Sequence, residues 1–594
     1  MSIESKGVTG RNSAAGSNPP TEAVADFPGA QPTRRSRLPR WVRVGTPIGI
    51  LAMGAVVEAF IWNKYQEDST FQVMLTWYTA PFFVLLLLIW WTFLSGLRWG
   101  TRLAGLGLLA VAGTAFGSTF RLKEFTGDMV PHFQVRWQQS AEQRAADYWK
   151  NETSEVAMAA PSGKAGAAGV EKLEIGPQDW PQFNGPHRDG RADSVRVRTS
   201  WQEEKPRKLS DMEQRPPREL WRHPVGAAWS SFSVVGNFAF TQEQRGADEA
   251  VVCYDAQNGK QIWAHLDQDQ RYDQAMAGIG PRATPTVHDS RVYTFGATGI
   301  LNCFAARTGA VLWSKNAVDE AGVKPLQFGM AGSPLVYDNL VVVNPGGPRQ
   351  AIDGTQTSGR AVIAYDRLTG KEVWAAGDCQ AAYTSPTLAT IGGVKQVVIF
   401  DALGAAGHDA ATGKQLWRTP LWTNEFHNNC AQPIVGKDAG GEGAVFLSSG
   451  YGTGSILFDV NKSGDSWAVN ERWKAPNKFK LKFNSGVTRD GVVYGLDEGI
   501  LACFDLSTGY QHWKRGHYGY GQVLLFENVL FVISEEGDAV FLEVSPSQAQ
   551  EVARFHAIEG KTWNHPAYSN GRLYLRNAEE AACYDLGPTQ AAWR

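Results

Sequence analysis

Six cysteines in 594 residues are too few for a disulfide scaffold, and none sits in the CxxCH pattern that attaches c-type haem. Eleven histidines show no zinc-ligand spacing, so no metal site is expected from them. A basic excess is also missing. Fifty-seven Lys+Arg against 59 Asp+Glu leave a formal charge of −2, which argues against a nucleic-acid partner. Global disorder is excluded by the 43% of hydrophobic residues. What the chain has in quantity is glycine (63) and tryptophan (22). That pairing points to turn-rich β structure with one large aromatic per repeating unit.

Charge is nearly absent from three stretches near the N-terminus. Val44–Trp62 carries only Glu58, and Phe71–Leu97 and Leu103–Phe120 carry none. Each is close to the roughly 18–20 residues that cross a bilayer, so three transmembrane helices are expected over 44–120. A Ser/Gly/Pro/Ala-rich arm, residues 1–43, precedes them and ends in Arg34, Arg35, Arg37, Arg40 and Arg43. Arginines in the arm and at Arg98 and Arg102 place both on the cytoplasmic side. Everything after Phe120 is then outside, at the periplasmic face of the inner membrane. Arg121 and Lys123 oppose that orientation weakly. Glu58 reads as an acid near the outer end of its span that reaches the headgroups, in preference to a proton or quinone site. Residues 121–175 read as a short polar helix (132–150) and an Ala/Gly/Ser-rich tether (154–169). Asn151–Thr153 matches a glycosylation sequon.

From 176 to 594 the chain is periodic. VVCYDAQNGKQIW (251–263), LNCFAARTGAVLW (301–313), VIAYDRLTGKEVW (362–374), AAGHDAATGKQLW (405–417) and LACFDLSTGYQHW (501–513) align on a terminal Trp. Degenerate copies end at Trp473, Phe555 and Trp593, and Trp221 stands alone upstream in ELWRHP. The steps from Trp221 onward run from 38 to 61 residues and define eight units of blade size. Each unit divides into four strand-like pieces between Gly/Asp/Asn turns. The fold predicted is therefore all-β, an eight-bladed β-propeller of four-stranded blades, with ELWRHP supplying the outer strand of the last blade and closing the ring.

The repeat, ALDAxTGxxxW in generic form, resembles the pyrroloquinoline-quinone (PQQ) repeat. DWPQFNGPHRDG (179–190), SSGYGTGS (448–455), HYGYGQ (517–522) and KTWNHPAYSNGRLYLRNAEEAACYDL (561–586) resemble PQQ-like propellers abundant in planctomycete bacteria. That family is often named after the outer-membrane assembly propeller of other bacteria. The resemblance implies a fold; it carries no established reaction, because the fold hosts both enzymes and scaffolds.

Topology puts the loops between blades and the second-to-third-strand turns on one face, and the Thr-Gly turns on the other. The first set is long and chemically varied, so any site is expected there, at the mouth of the axial channel. Candidates are Arg282, Gln327, Tyr383, Glu425, His427, Asn428, Asn429, Lys482, Asn484, Trp563 and His565. A PQQ cofactor would need an aromatic to stack on, cations for its carboxylates and oxygen ligands for Ca²⁺. Trp563, then Arg282 and Lys482, then Glu425 with Asn428 match those types. The alternative is that these residues line a wet channel. The adjacent Cys-Cys pair of many soluble quinoprotein dehydrogenases is missing, as it is in the membrane glucose dehydrogenases. Cys253, Cys303, Cys503 and Cys583 share one strand position and read as small buried apolar residues. Cys379 and Cys430 lie in adjacent channel-face loops of a compartment that permits a disulfide.

Two functions from different classes stand open. One is a membrane-anchored, periplasm-facing scaffold that binds a protein or peptide. The other is a membrane-bound PQQ-dependent dehydrogenase that oxidises an alcohol or sugar and passes electrons to membrane quinone.

Overall fold

The computed structural model describes residues 39, 41–66, 69–152, 170–201, 216–274, 278–348 and 359–587. Residues 1–38 and 40 of the N-terminal arm, the 154–169 tether, Thr153 of the sequon and Trp593 of the last repeat lie outside the described residues. Three helices do form: α1 (Thr46–Lys64), α2 (Ser69–Ile89) and α3 (Trp99–Thr119). Two continuous helical stretches, Trp41–Lys64 and Ser69–Leu94, are long and apolar enough to cross a membrane. α3 has the length, but Arg102 and five glycines dilute its apolar character. Its first turn packs on the Trp90–Leu94 stretch that follows α2. Arg102 donates to Thr92 O at 2.8 Å, and Trp91 Nε1 donates to Arg102 O at 3.3 Å. Glu58 is spoken for within the bundle, accepting the Thr76 hydroxyl hydrogen at 2.8 Å and that of Thr79.

The short helix expected over 132–150 is corrected. A hairpin comes first, β1 (Phe120–Phe125) against β2 (Pro131–Val135), followed by α4 (Ala141–Glu152). Alternating residues in PHFQV suit a strand, and Ser140 begins the helix by accepting from the Gln143 N–H at 3.1 Å.

The remainder is the propeller. Seven blades are continuous antiparallel meanders: 233–267, 286–316, 335–376, 387–418, 434–476, 487–517 and 522–556. The eighth takes three strands from 567–585 and its outer strand from β4 (Arg218–Pro224), as the orphan Trp predicted. In that seam Trp221 stands opposite Cys583. Arg576 adds a second tie between the eighth and first blades. It is fully buried and donates to Thr241 Oγ1, Gln242 O and Gly226 O at 2.7, 3.0 and 2.8 Å.

The repeat motif has a physical reason. Gly259, Gly309, Gly370, Gly413 and Gly509 end the Thr-Gly-type turns with φ between 67° and 74°. Each also lies on the Trp ring of the preceding blade, so a Cβ there would come closer than 3.0 Å to Trp221, Trp263, Trp313, Trp374 or Trp473. Most of these indoles then donate across the seam. Trp221 reaches Ala256 O (3.2 Å), Trp263 Ala306 O (3.0 Å), Trp313 Arg367 O (3.1 Å) and Trp473 Leu506 O (2.9 Å). The fifth blade lacks the turn, and the Trp before it, Trp417, donates to Gln396 of its own blade at 2.6 Å instead. In these five blades the motif couples a positive-φ turn to the wedge of its neighbour.

The 179–192 segment runs across the axis at the opposite face. Trp180 bridges Val234 of the first blade, Pro181 accepts from Val287 of the second, and Arg188 donates to Ser333 O and Pro334 O ahead of the third. β3 (Arg191–Ala192) then pairs in parallel with Leu525 and Phe526 of the seventh. The third and seventh blades are diametrically opposed in a ring of eight, so this segment plugs the channel.

Candidate functional site

The chemically varied face is covered in one sector by the chain's own N-terminal segment, from the start of α2 to α4. At the tip of the β1–β2 hairpin, Gly127 N–H donates to Glu535 at 2.7 Å and Gly127 O accepts from Lys482 at 3.1 Å. Lys482, 2% exposed, also donates to Thr70 at the start of α2, at 2.7 Å. Tyr520 closes the pocket. Its hydroxyl lies 2.9 Å from both Asp128 and Glu498, and its ring occupies the space a side chain at 127 would need. Further out, Lys561 donates to Phe125 O (2.9 Å) and pairs with Glu124 (3.3 Å), while Lys123 and Arg144 both pair with Glu579. α4 continues the clamp. Tyr148 stacks on His223 (centroids 5.1 Å apart, planes 2° apart), Arg245 lies 4.2 Å over Trp149, and Glu142 pairs with Arg271 at 2.9 Å.

Of the expected residues, the structure brings Lys482 and Trp563 into this cluster. Trp563 offers no open platform. Phe483 stacks on it at 4.7 Å, Trp229 lies at 5.1 Å, Lys561 sits 4.3 Å from its ring and its Nε1 donates to Glu535 at 3.0 Å. A second group lies in another sector. Arg282 donates to Gly280 O at 2.8 Å and rests 6.0 Å over Tyr272, and burial brings its guanidinium down to about 10. Tyr383, whose phenol burial pushes up, accepts from Phe328 N–H at 3.4 Å. Gln327 is exposed and contributes its carbonyl to Tyr272 at 2.8 Å.

The 424–429 loop divides by role. Glu425 is exposed. His427, at φ 58°, binds Ala402 O at 2.9 Å, and Asn428 N–H donates to Asn424 at 3.1 Å. Asn429 is wholly buried, bonding Asp401 O and Ser449, and Asn484 exchanges both its amide bonds with Leu496. Both asparagines are loop staples. His565 is half-buried, edge-on to Phe183 of the plug at 4.7 Å, and desolvation holds it down to about 3, so it is neutral. The four strand cysteines are buried and all six cysteines are free thiols.

These positions do not match what a PQQ group requires. The Trp563 face is packed by Phe483 and Trp229, and Lys482 is bonded to Thr70 and Gly127, although Arg282 and Lys482 both act electrostatically on Cys430. Among the described residues no three His, Cys, Asp or Glu side chains are grouped to hold a metal ion.

The residues the sequence did not single out are Glu498, Tyr520, Glu535, Lys561 and Glu579. A signal existed. Tyr520 and Lys561 lie in the quoted loops, and the second-to-third-strand turns of the last three blades all carry glutamate.

One carboxyl beside this face is poised. Glu249, 2% exposed, is pushed up to about 8 by burial, against the pull of the Ala297 N–H at 3.0 Å; Asp267 adds to the rise. The unfolded value is about 4.3. The folded protein therefore keeps this proton to higher pH than the unfolded chain. The stability it contributes is complete below about pH 4 and drains away as pH rises to about 8. Between pH 5.5 and 8.5 the wild type is expected to lose roughly 2–4 kcal/mol more than Glu249→Gln, measured by denaturant unfolding at both pH values. Parallel pH profiles for the two proteins would refute this assignment.

Residues 247–515, from the first blade to the sixth, match the family profile described as outer membrane protein assembly factor BamB. A quinohemoprotein alcohol dehydrogenase (ADH-IIG) of Pseudomonas putida is 30% identical over 131 residues, 22% of this chain but only 17% of that protein. A tetrathionate hydrolase of Acidithiobacillus ferrooxidans is 26% identical over 409 residues, 60% of this chain and 70% of the relative. BamB from Moraxella catarrhalis superposes with a TM-score of 0.42 at 16% identity, covering 62% of this chain and all of that one. The quinohemoprotein alcohol dehydrogenase of Comamonas testosteroni gives 0.48 at 12%, covering 76% and 84%. With its own eight sheets and repeat motif, the chain carries a PQQ-like repeat propeller.

Proposed function

We propose that the chain is a membrane-anchored binding and scaffold propeller, held on the periplasmic side of the inner membrane with its channel mouth toward the bilayer. The observation that carries this reading is the occupied mouth: Gly127 and Thr70 of the membrane-proximal segment fill the space around Lys482 and Tyr520 where a ligand would enter. The arginine-rich arm favours a cytoplasmic N-terminus. α3 acts as a third span in this reading. It returns the chain to the propeller side, where the Trp77 indole donates to Met129 O at 3.3 Å. A protein or peptide partner docks on the uncovered sector, where Leu421 (72% exposed) and Phe426 (44%) flank Glu425.

The dehydrogenase reading retains one support, the named activity of the Pseudomonas relative. Adding PQQ and Ca²⁺ to the purified full chain decides between them. The expected result is an unchanged quinone absorbance and no dye-linked oxidation of alcohols or sugars. A photoreactive residue at 426 is expected to capture a discrete protein in native membranes, and one at Leu368 on the opposite face is not. Stoichiometric PQQ uptake would replace the scaffold by the enzyme.

A further inference from the structure

The start of α2 touches the propeller through Thr70; the opposite end of the helical bundle gathers cations without a counter-charge. Trp41–Gly45 and Trp90–Leu94 are π-helical turns at that end, tied together by the Trp90 indole, which donates to Val42 O at 3.3 Å. Two arginines meet the 92–96 stretch. The Arg43 side chain lies against Gly96, which has φ 70° and no room for a Cβ. Arg102, 9% exposed, donates from Nη1 to Thr92 O at 2.8 Å and rests 4.9 Å over the Trp99 ring. That bond caps the end of α2 and uses one of the five guanidinium donors. The Nε–H groups of both arginines are buried without a hydrogen-bond partner among the described residues.

The field at this end is positive throughout. Arg102 lies one turn into α3, whose cap residue Arg98 makes no side-chain bond, so the free amides of that turn add to the arginines. No Asp or Glu occurs over 41–57 or 69–123. Glu58, the one acid of α1, is about 20 Å further along the helix. It is also taken by Thr76 and Thr79. Buried charge is costly unless it is paired, so the occupant of this end is an anion. We propose that Arg43 and Arg102 bind the phosphate of an anionic phospholipid whose head carries no ammonium group. The planar guanidinium fork suits phosphate oxygens. An ethanolamine head would bring its ammonium among Arg43, Arg98 and Arg102, with no carboxylate to receive it. A lipid is favoured over a free ion by the surroundings. Trp41, Phe93 and Trp99 are exposed around the site, the side chains of a bilayer interface. The inference rests on the reading of α1 and α2 as membrane spans.

Reconstituting the full chain in nanodiscs of equal phosphatidylglycerol and phosphatidylethanolamine, and releasing it into native mass spectrometry, tests this. The glycerol lipid should be retained about tenfold over the ethanolamine lipid. Arg102→Gln should largely abolish that preference. So should Arg43→Gln, which removes the charge without breaking a side-chain hydrogen bond and leaves the melting temperature of the propeller unchanged. Lys64→Gln removes one charge at the opposite end of α1 and should leave the preference intact. Equal retention of the two lipids, or the same loss with Lys64→Gln as with Arg43→Gln, would mean a general attraction between basic residues and the bilayer and would overturn the site. Displacement of the glycerol lipid by excess inorganic phosphate would show a free-ion site and overturn the lipid assignment. Release of the chain from membranes by alkaline carbonate would instead sink the spanning reading and the lipid site with it, whereas the nanodisc result on a chain that resists carbonate bears on the site alone.

Discussion

Trp313→Ala should lower the stability of the propeller by about 3–5 kcal/mol, as truncation of a large buried aromatic does. The ring is 9% exposed, covers Gly370 of the next blade and donates to Arg367 O across the seam. Truncation opens a cavity between two sheets and leaves Arg367 O with the Tyr293 hydroxyl at 3.1 Å and without the indole donor. Gly370→Val should be comparably harmful from the other side, since it forces a Cβ into the indole and a branched residue into positive φ. Leu368→Ala, at an exposed position on the same turn, is the control. Chemical denaturation monitored by tryptophan emission measures all three. Near wild-type stability for Trp313→Ala would show that the repeat tryptophans are not wedges.

Excising Arg218–Pro224 should be more damaging than any single wedge, exceeding the ~3–5 kcal/mol of one buried aromatic. The excision removes the outer strand of the eighth blade, the Trp221–Gly259 seam and the Arg222–Glu580 ion pair together. It also exposes the edge of the 580–585 strand, an open template for intermolecular pairing. The expected outcome is a broad, low-temperature transition with aggregation. Deleting residues 1–175 should leave a sharp transition, because the ring and its plug are intact. If the two deletions melt alike, ring closure does not depend on β4.

The propeller was legible because its physics is periodic. The terminal Trp, the Thr-Gly turn and the orphan Trp221 recur at blade spacing, and each has a local cause in seam packing. Local pattern fails where the partner is remote. Nothing in EFTGDM (124–129) signals that Gly127 contacts a glutamate 408 residues away. DWPQFNGPHRDG was recognisable as a family signature, yet its crossing of the channel depends on strands drawn from opposed blades. Loop position also misled the choice of site residues. Asn429 and Asn484 have the residue type of ligands, but burial and saturated amide bonds make them staples. Whether α3 spans is equally illegible from composition, since glycine lowers its hydropathy while permitting close packing: Gly105 lies against the Trp91 ring.

β4 is made early and its partner strand, 580–585, is made last. A chain leaving the ribosome therefore holds seven complete blades with both flanks exposed until the final strands emerge. The contacts that end this interval have the longest sequence separations in the propeller, so they carry the largest loop-closure cost and form late. By then the N-terminal helices have been made, and the first and last blades must find each other beside them. The docked hairpin confines that search to one surface, so the N-terminal segment acts during assembly as a jig for closing the ring.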